Sequence, residues 1–170
     1  MSVLAVTPLS DMEATLRRTG AREMISLAGP GREVLRPEGL DRFTVPVFHD
    51  IAAPRDGHVE PRPEHVAEIL RAGRAWNRSR PLVIQCWMGV SRSTAAALLV
   101  AADLEGGDMA ALAARLRAAA PFATPNPLLV RLGDDALGLH GALVAAVAKI
   151  GRGAEVSQGS PFVLHLEPGR

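Results

Sequence analysis

Cys86 is followed by Trp87-Met88-Gly89-Val90-Ser91, and then by Arg92 and Ser93. Taken alone, a single cysteine beside an apolar run is explained as well by a small core residue as by a nucleophile. The spacing argues for chemistry. The five residues between Cys86 and Arg92 can wrap so that their backbone N–H groups face one centre, completed by the N-terminus of a following helix. Such a cup favours negative charge, whether a bound phosphate or the ionised sulfur of Cys86. Arg92 supplies a planar fork that holds two oxygens at once, which lysine lacks. Gly89 admits a tight backbone path, and Ser93, just inside the helix, can turn its hydroxyl back to the sulfur and support it as a leaving group.

The elements around this loop must present it at the edge of a sheet. Leu82-Val83-Ile84 has no polar alternation, as expected of a central strand buried on both faces, and an alanine-rich helix is predicted over 91–104, ended by Gly106-Gly107. Upstream, strands are predicted over 3–7, 23–27 and 43–48, the last near an edge because of Pro46. A short helix through Arg18 follows Ser10, with Glu13 at capping-box spacing. An amphipathic helix is expected over 64–76, and a helix capped by Asp108 over 109–119. After the break at Pro121–Pro127, one last helix is predicted over 128–150. Strands interleaved with helices make an α/β domain with a mostly parallel central sheet flanked by helices. Residues 1–150 read as one domain. Residues 151–170 form a Gly/Ser/Pro-containing tail whose Phe162–Leu166 run is either an added strand or loose. Ligands bind beyond the carboxyl ends of such strands, where Cys86 lies.

The strand, Cys-x5-Arg-Ser and helix resemble the protein tyrosine phosphatase superfamily, and Gly89-Val90-Ser91-Arg92-Ser93-Thr94 is most similar to its compact dual-specificity branch. The resemblance covers about residues 40–132. It implies a phosphomonoester hydrolase with no metal or organic cofactor. In that family cysteine attacks phosphorus to form a cysteinyl-phosphate, arginine binds the transferring group, and an upstream aspartate protonates the leaving oxygen. Cys86 then matches the nucleophile, Arg92 the phosphate clamp and Ser93 the supporting hydroxyl, while Trp87, Met88, Gly89, Val90 and Ser91 surround the anion. Asp50, at the end of a strand, is the expected acid; the rival Asp56 lies in Pro54-Arg55-Asp56-Gly57, which a turn already explains. Pro125-Asn126-Pro127 resembles the family's loop-bracing asparagine, though Asn126 between prolines is equally a helix cap. One departure stands out. The family places histidine before the cysteine, whereas Gln85 can donate a hydrogen bond to the loop but cannot be cationic. A phosphate-binding relative without activity, or another thiolate enzyme such as a sulfurtransferase, are therefore the alternatives.

Composition narrows the partners. The chain has 170 residues, 19 basic against 18 acidic, for a net charge of +1, so no global field draws it to nucleic acid or anionic membranes. Arg71, Arg74, Arg78 and Arg80 lack the interleaved aromatics of a nucleic-acid surface. A single cysteine excludes an intramolecular disulfide, and neither the histidines nor Asp134-Asp135, read as a solvated helix face, have metal-ligand spacing. The absence of a signal-like N-terminus points to the cytoplasm. Lys149 is the one lysine, a bias of GC-rich bacterial genomes. With no lysine at Trp87, Met88 or Val90, the expected substrate is a phosphorylated protein, phosphotyrosine above all, or a small phosphomonoester, rather than a polyphosphate. Oligomeric state is left open.

Overall fold

The computed structural model describes residues 2–168. Its centre is a five-stranded sheet in the order β3-β2-β4-β1-β5. Strands β1 (Val3–Pro8), β2 (Glu23–Leu27), β3 (Arg42–Thr44) and β4 (Leu82–Cys86) run parallel, and β5 (Phe162–His165) pairs antiparallel with β1. Every residue of β4 is buried, as its continuous apolar run requires in the middle of a sheet covered on both faces. The pleat sends Leu82, Ile84 and Cys86 to the larger core, whereas Val83 joins Ala5 and Met24 on the opposite face.

Helix α1 (Met12–Thr19) covers that smaller face, with Met12 and Leu16 against it. The larger face carries α2 (Pro63–Ala75), α3 (Arg92–Glu105), α4 (Met109–Ala119), α5 (Pro127–Leu137) and α6 (Ala142–Ile150). Helix α3 is buried from Arg92 to Ala102, which explains its alanines: small side chains let α2, α4 and α5 close around it. The approach of α5 is tight enough that a Cβ on Gly133 would lie 2.4 Å from Leu99 Cγ.

Four local expectations are corrected. The predicted strand 43–48 ladders only over Arg42–Thr44, because Pro46 has no N–H; beyond it Ala28 N donates to Pro46 O and Phe48 N to Ala28 O, so the segment still lies at the sheet edge. Ser10 does not cap α1. A 3-10 turn over Leu9–Asp11 precedes that helix, and Ser10 Oγ donates to Asp11 instead. The single helix 128–150 is two helices, divided at Gly138 and Gly141, both with positive φ. Asp134 is the reason the break is stable. Rather than facing solvent it is buried, and its carboxylate accepts the N–H groups of Gly141, Leu143 and Val144 at the start of α6.

The last described segment is not loose: β5 extends the sheet, and Leu164 and Leu166 are buried in the same core as α4. Among the described residues no helix is long and apolar enough to cross a membrane, and no cluster of three or more His, Cys, Asp or Glu could hold a metal ion.

Candidate active site

Strand β4 delivers Cys86 to the carboxyl edge of the sheet, and α3 begins at Arg92, so residues 87–91 must turn back between a buried strand and a buried helix. Gly89 makes the turn possible. Its φ is +68°, and a Cβ there would lie 2.7 Å from Pro8 N at the end of β1. Among the described residues, none of the N–H groups from Trp87 to Arg92 donates a hydrogen bond within the chain. These six consecutive donors have no acceptor among the described residues.

Cys86 Sγ lies 3.1 Å from Ser93 Oγ, both nearly inaccessible to solvent. When the sulfur is ionised the hydroxyl is the donor of this bond. Arg92 reaches out from the first turn of α3, its Nη1 donating to Phe48 O at 2.9 Å. It is only 8% exposed, its Nε has no hydrogen-bond partner, and it pairs with no carboxylate among the described residues. An unpartnered donor on a buried cation costs about 1–3 kcal/mol or more until an acceptor arrives.

Asp50 lines the same cavity, of about 640 Å³, as Cys86, Trp87, Met88 and Arg92. Two donors hold its Oδ1: Ser91 Oγ at 2.7 Å and Asn126 Nδ2 at 2.8 Å. Ser91 starts α3 without capping it, since its hydroxyl is spent on Asp50. Asn126 is the helix cap its context allowed, but its side chain holds Asp50 rather than the loop at residues 87–91, which only its backbone N–H touches. Its Oδ1 caps α5 by accepting Leu129 N, while its Nδ2 also donates to Ile51 O and its own N–H donates to Ser91 O. Asp56 lies elsewhere, in an exposed turn beyond a neck where His49 N donates to Val59 O and Val59 N to His49 Nδ1. It does not line the cavity.

Gln85 does not brace the loop as expected. The pleat points it away from Cys86 to the other face of the sheet, where its Oε1 accepts Ser26 Oγ from the facing position of β2 at 2.6 Å. Trp87 and Met88 stand on the rim, partly exposed, with the guanidinium of Arg32 stacked 4.0 Å from the Trp87 ring.

Four participants escape sequence reasoning. Arg32 sits in a loop with no local pattern, Phe48 contributes only its carbonyl, and Val156 and Ser157, far along the chain, form one wall of the cavity. No residue-type signal marks any of them.

The sheet order, and the strand, loop and helix that carry Cys86, give this chain the α/β fold of the dual-specificity branch of protein tyrosine phosphatases. It is similar to the crystal structure of DUSP15, a dual-specificity phosphatase, with a TM-score of 0.61 over 85% of this chain and 89% of that one, at 16% identity. No protein-family model matches the sequence, and no curated protein does.

Proposed function

We propose that the chain is a cysteine-dependent phosphomonoester hydrolase acting through a cysteinyl-phosphate. The observation that carries this reading is Arg92, a buried cation without a carboxylate, its Nε unpartnered, one residue from the hydroxyl that touches Cys86 Sγ. A core cysteine next to a structural arginine would not leave a buried charge unmatched.

The thiolate of Cys86 attacks phosphorus, forming the S–P bond as the ester P–O bond breaks. The three non-bridging oxygens are met by the loop N–H groups and the Arg92 fork, which stabilise charge where it spreads in the transition state. Asp50 gives its proton to the departing oxygen. Since Oδ1 already accepts two hydrogen bonds, that proton sits on Oδ2. Water then attacks phosphorus and loses a proton to Asp50, the S–P bond breaks, and phosphate leaves. The Ser93 hydroxyl supports the departing thiolate.

The test is acid quenching within the first turnovers of an aryl phosphate. One phosphoryl group should appear on the peptide containing Cys86; rapid turnover with phosphate on another residue, or on none, would remove the covalent step. For the acid, Asp50→Ala should slow alkyl phosphates by about 100-fold while a nitrophenyl-type ester with a good leaving group changes little. Asn126→Ala should produce a weaker version of the same leaving-group dependence. Equal losses across the series would take Asp50 out of the role.

A further inference from the structure

The run from Phe48 to Ile51 is gripped at every residue. Phe48 N donates to Ala28 O, Phe48 O accepts Arg92 Nη1, and Ile51 O accepts Asn126 Nδ2. Asp50 is held by Ser91 and Asn126. His49 is the member whose contacts the mechanism leaves unused. Its N–H donates to Val59 O at 2.7 Å, its Nδ1 accepts Val59 N at 2.9 Å, and the His58 ring stands 4.7 Å from its own. We propose that His49 is a positioning residue for the acid step: its side chain clasps the returning limb of the loop at Val59 and so fixes Asp50 at the cavity. The inference rests on the phosphatase reading above, with Asp50 as its acid.

The loop depends on its ends. Residues 52–57 are all exposed, and their described hydrogen bonds reach no further than His58, whose N–H donates to Arg55 O and whose Nδ1 donates to Asp56 O. Nothing along that stretch ties it to the sheet or the helices, so its conformation is set where it leaves the fold and where it returns. It leaves at Asp50. It returns at Val59, which packs against the larger core shortly before α2 begins.

A single main-chain bond between His49 and Val59 would act as a pivot. The second bond, into the imidazole, makes the contact two-pointed and fixes direction as well as distance. Ser91 and Asn126 cannot replace it. Both hold Oδ1 of Asp50, and a carboxyl pinned at one oxygen still swings its other oxygen, the one that carries the proton, unless the backbone beneath is fixed.

The chemistry asks for an acceptor at this one point. Because Nδ1 accepts an N–H, it carries no proton, and the neutral ring keeps its proton on Nε2. An alanine would leave Val59 N–H without this partner. Asparagine carries its Oδ1 as many bonds from Cα as histidine carries Nδ1, whereas glutamine carries its oxygen one bond too far.

The experiment measures kcat/KM of wild type, His49→Ala and His49→Asn, each also in an Asp50→Ala background, on an alkyl phosphate and on nitrophenyl phosphate. In His49→Ala the alkyl rate should fall by about tenfold relative to the nitrophenyl rate, the mark of a misplaced acid. His49→Asn should recover most of that loss. With Asp50 already alanine, His49→Ala should cost the alkyl ester no more than about twofold further, because the residue acts through the missing carboxyl. Equal losses on both esters, no recovery by asparagine, or a full loss in the absence of Asp50 would overturn the proposal. If His49→Ala does not fold, His49→Gln takes its place with the same expectations. If Asp50→Ala shows no leaving-group dependence, or wild type hydrolyses nothing, the acid assignment or the phosphatase reading fails separately. The clasp is then judged by amide hydrogen exchange at Val59 and at Ile51, beside Asp50. Protection in wild type and His49→Asn that is lost in His49→Ala sustains it, and equal exchange in all three overturns it.

Discussion

Serine in place of Cys86 is expected to lower turnover of an aryl phosphate by about 10⁴-fold or more, the scale on which removal of a nucleophile acts elsewhere. An alcohol is a far weaker acid than a thiol, and it is the poorer nucleophile even with the same loop around it. Binding should persist. The six loop N–H groups, the Arg92 guanidinium and the carbonyl that orients it are untouched by the change of sulfur to oxygen. Equilibrium binding of phosphate or of a phosphopeptide to Cys86→Ser should therefore resemble wild type, and this separates loss of chemistry from loss of the site. A variant that turns over at the wild-type rate would end the covalent mechanism. One that no longer binds the anion would instead mean that the substitution had disturbed the loop.

The second large effect belongs to Arg92→Lys, expected to cost about 10³-fold in kcat/KM, comparable with removing preorganised transition-state donors in other enzymes. The charge is conserved, so the loss isolates geometry. A lysine ammonium cannot keep the bond to Phe48 O and at the same time offer a planar fork to two phosphate oxygens. A thermal shift supplies the control. Ligand that binds only the folded state stabilises it by RT ln(1 + [L]/Kd), so saturating phosphate should raise the wild-type melting temperature and leave the lysine variant nearly unmoved. Equal shifts in the two proteins would show that the anion is held without the fork, and would withdraw from Arg92 the part assigned to it.

These two residues are also where sequence and structure agree most closely, because both lie within one short stretch whose geometry is local. The span of β4, the glycine at positive φ and the helix start at Arg92 follow from neighbouring residues. The same holds for Asp108, which caps α4 through Ala110 and Ala111. Gln85 shows the limit. Its neighbour in sequence is Cys86, yet the pleat puts the two side chains on opposite faces, and Ser26 became its partner only through a register between β2 and β4. Asp134 shows another. A pair of aspartates on a helix looks solvated until the following helix folds back and offers N–H groups to one of them.

The sequence by itself determined the order of the first four strands and the first four helices, the position of Cys86 after the most apolar strand, and the loop that ties it to Arg92 and Ser93, since each depends on periodicity or on spacing within a few residues. Tertiary structure alone decided that Ser91 and Asn126 hold Asp50, and that Val156 and Ser157 wall the cavity beside it. Those contacts join segments separated by tens of residues. Their partners are chosen by how the helices and the last strand close on the sheet, and no local pattern of residue types carries that information.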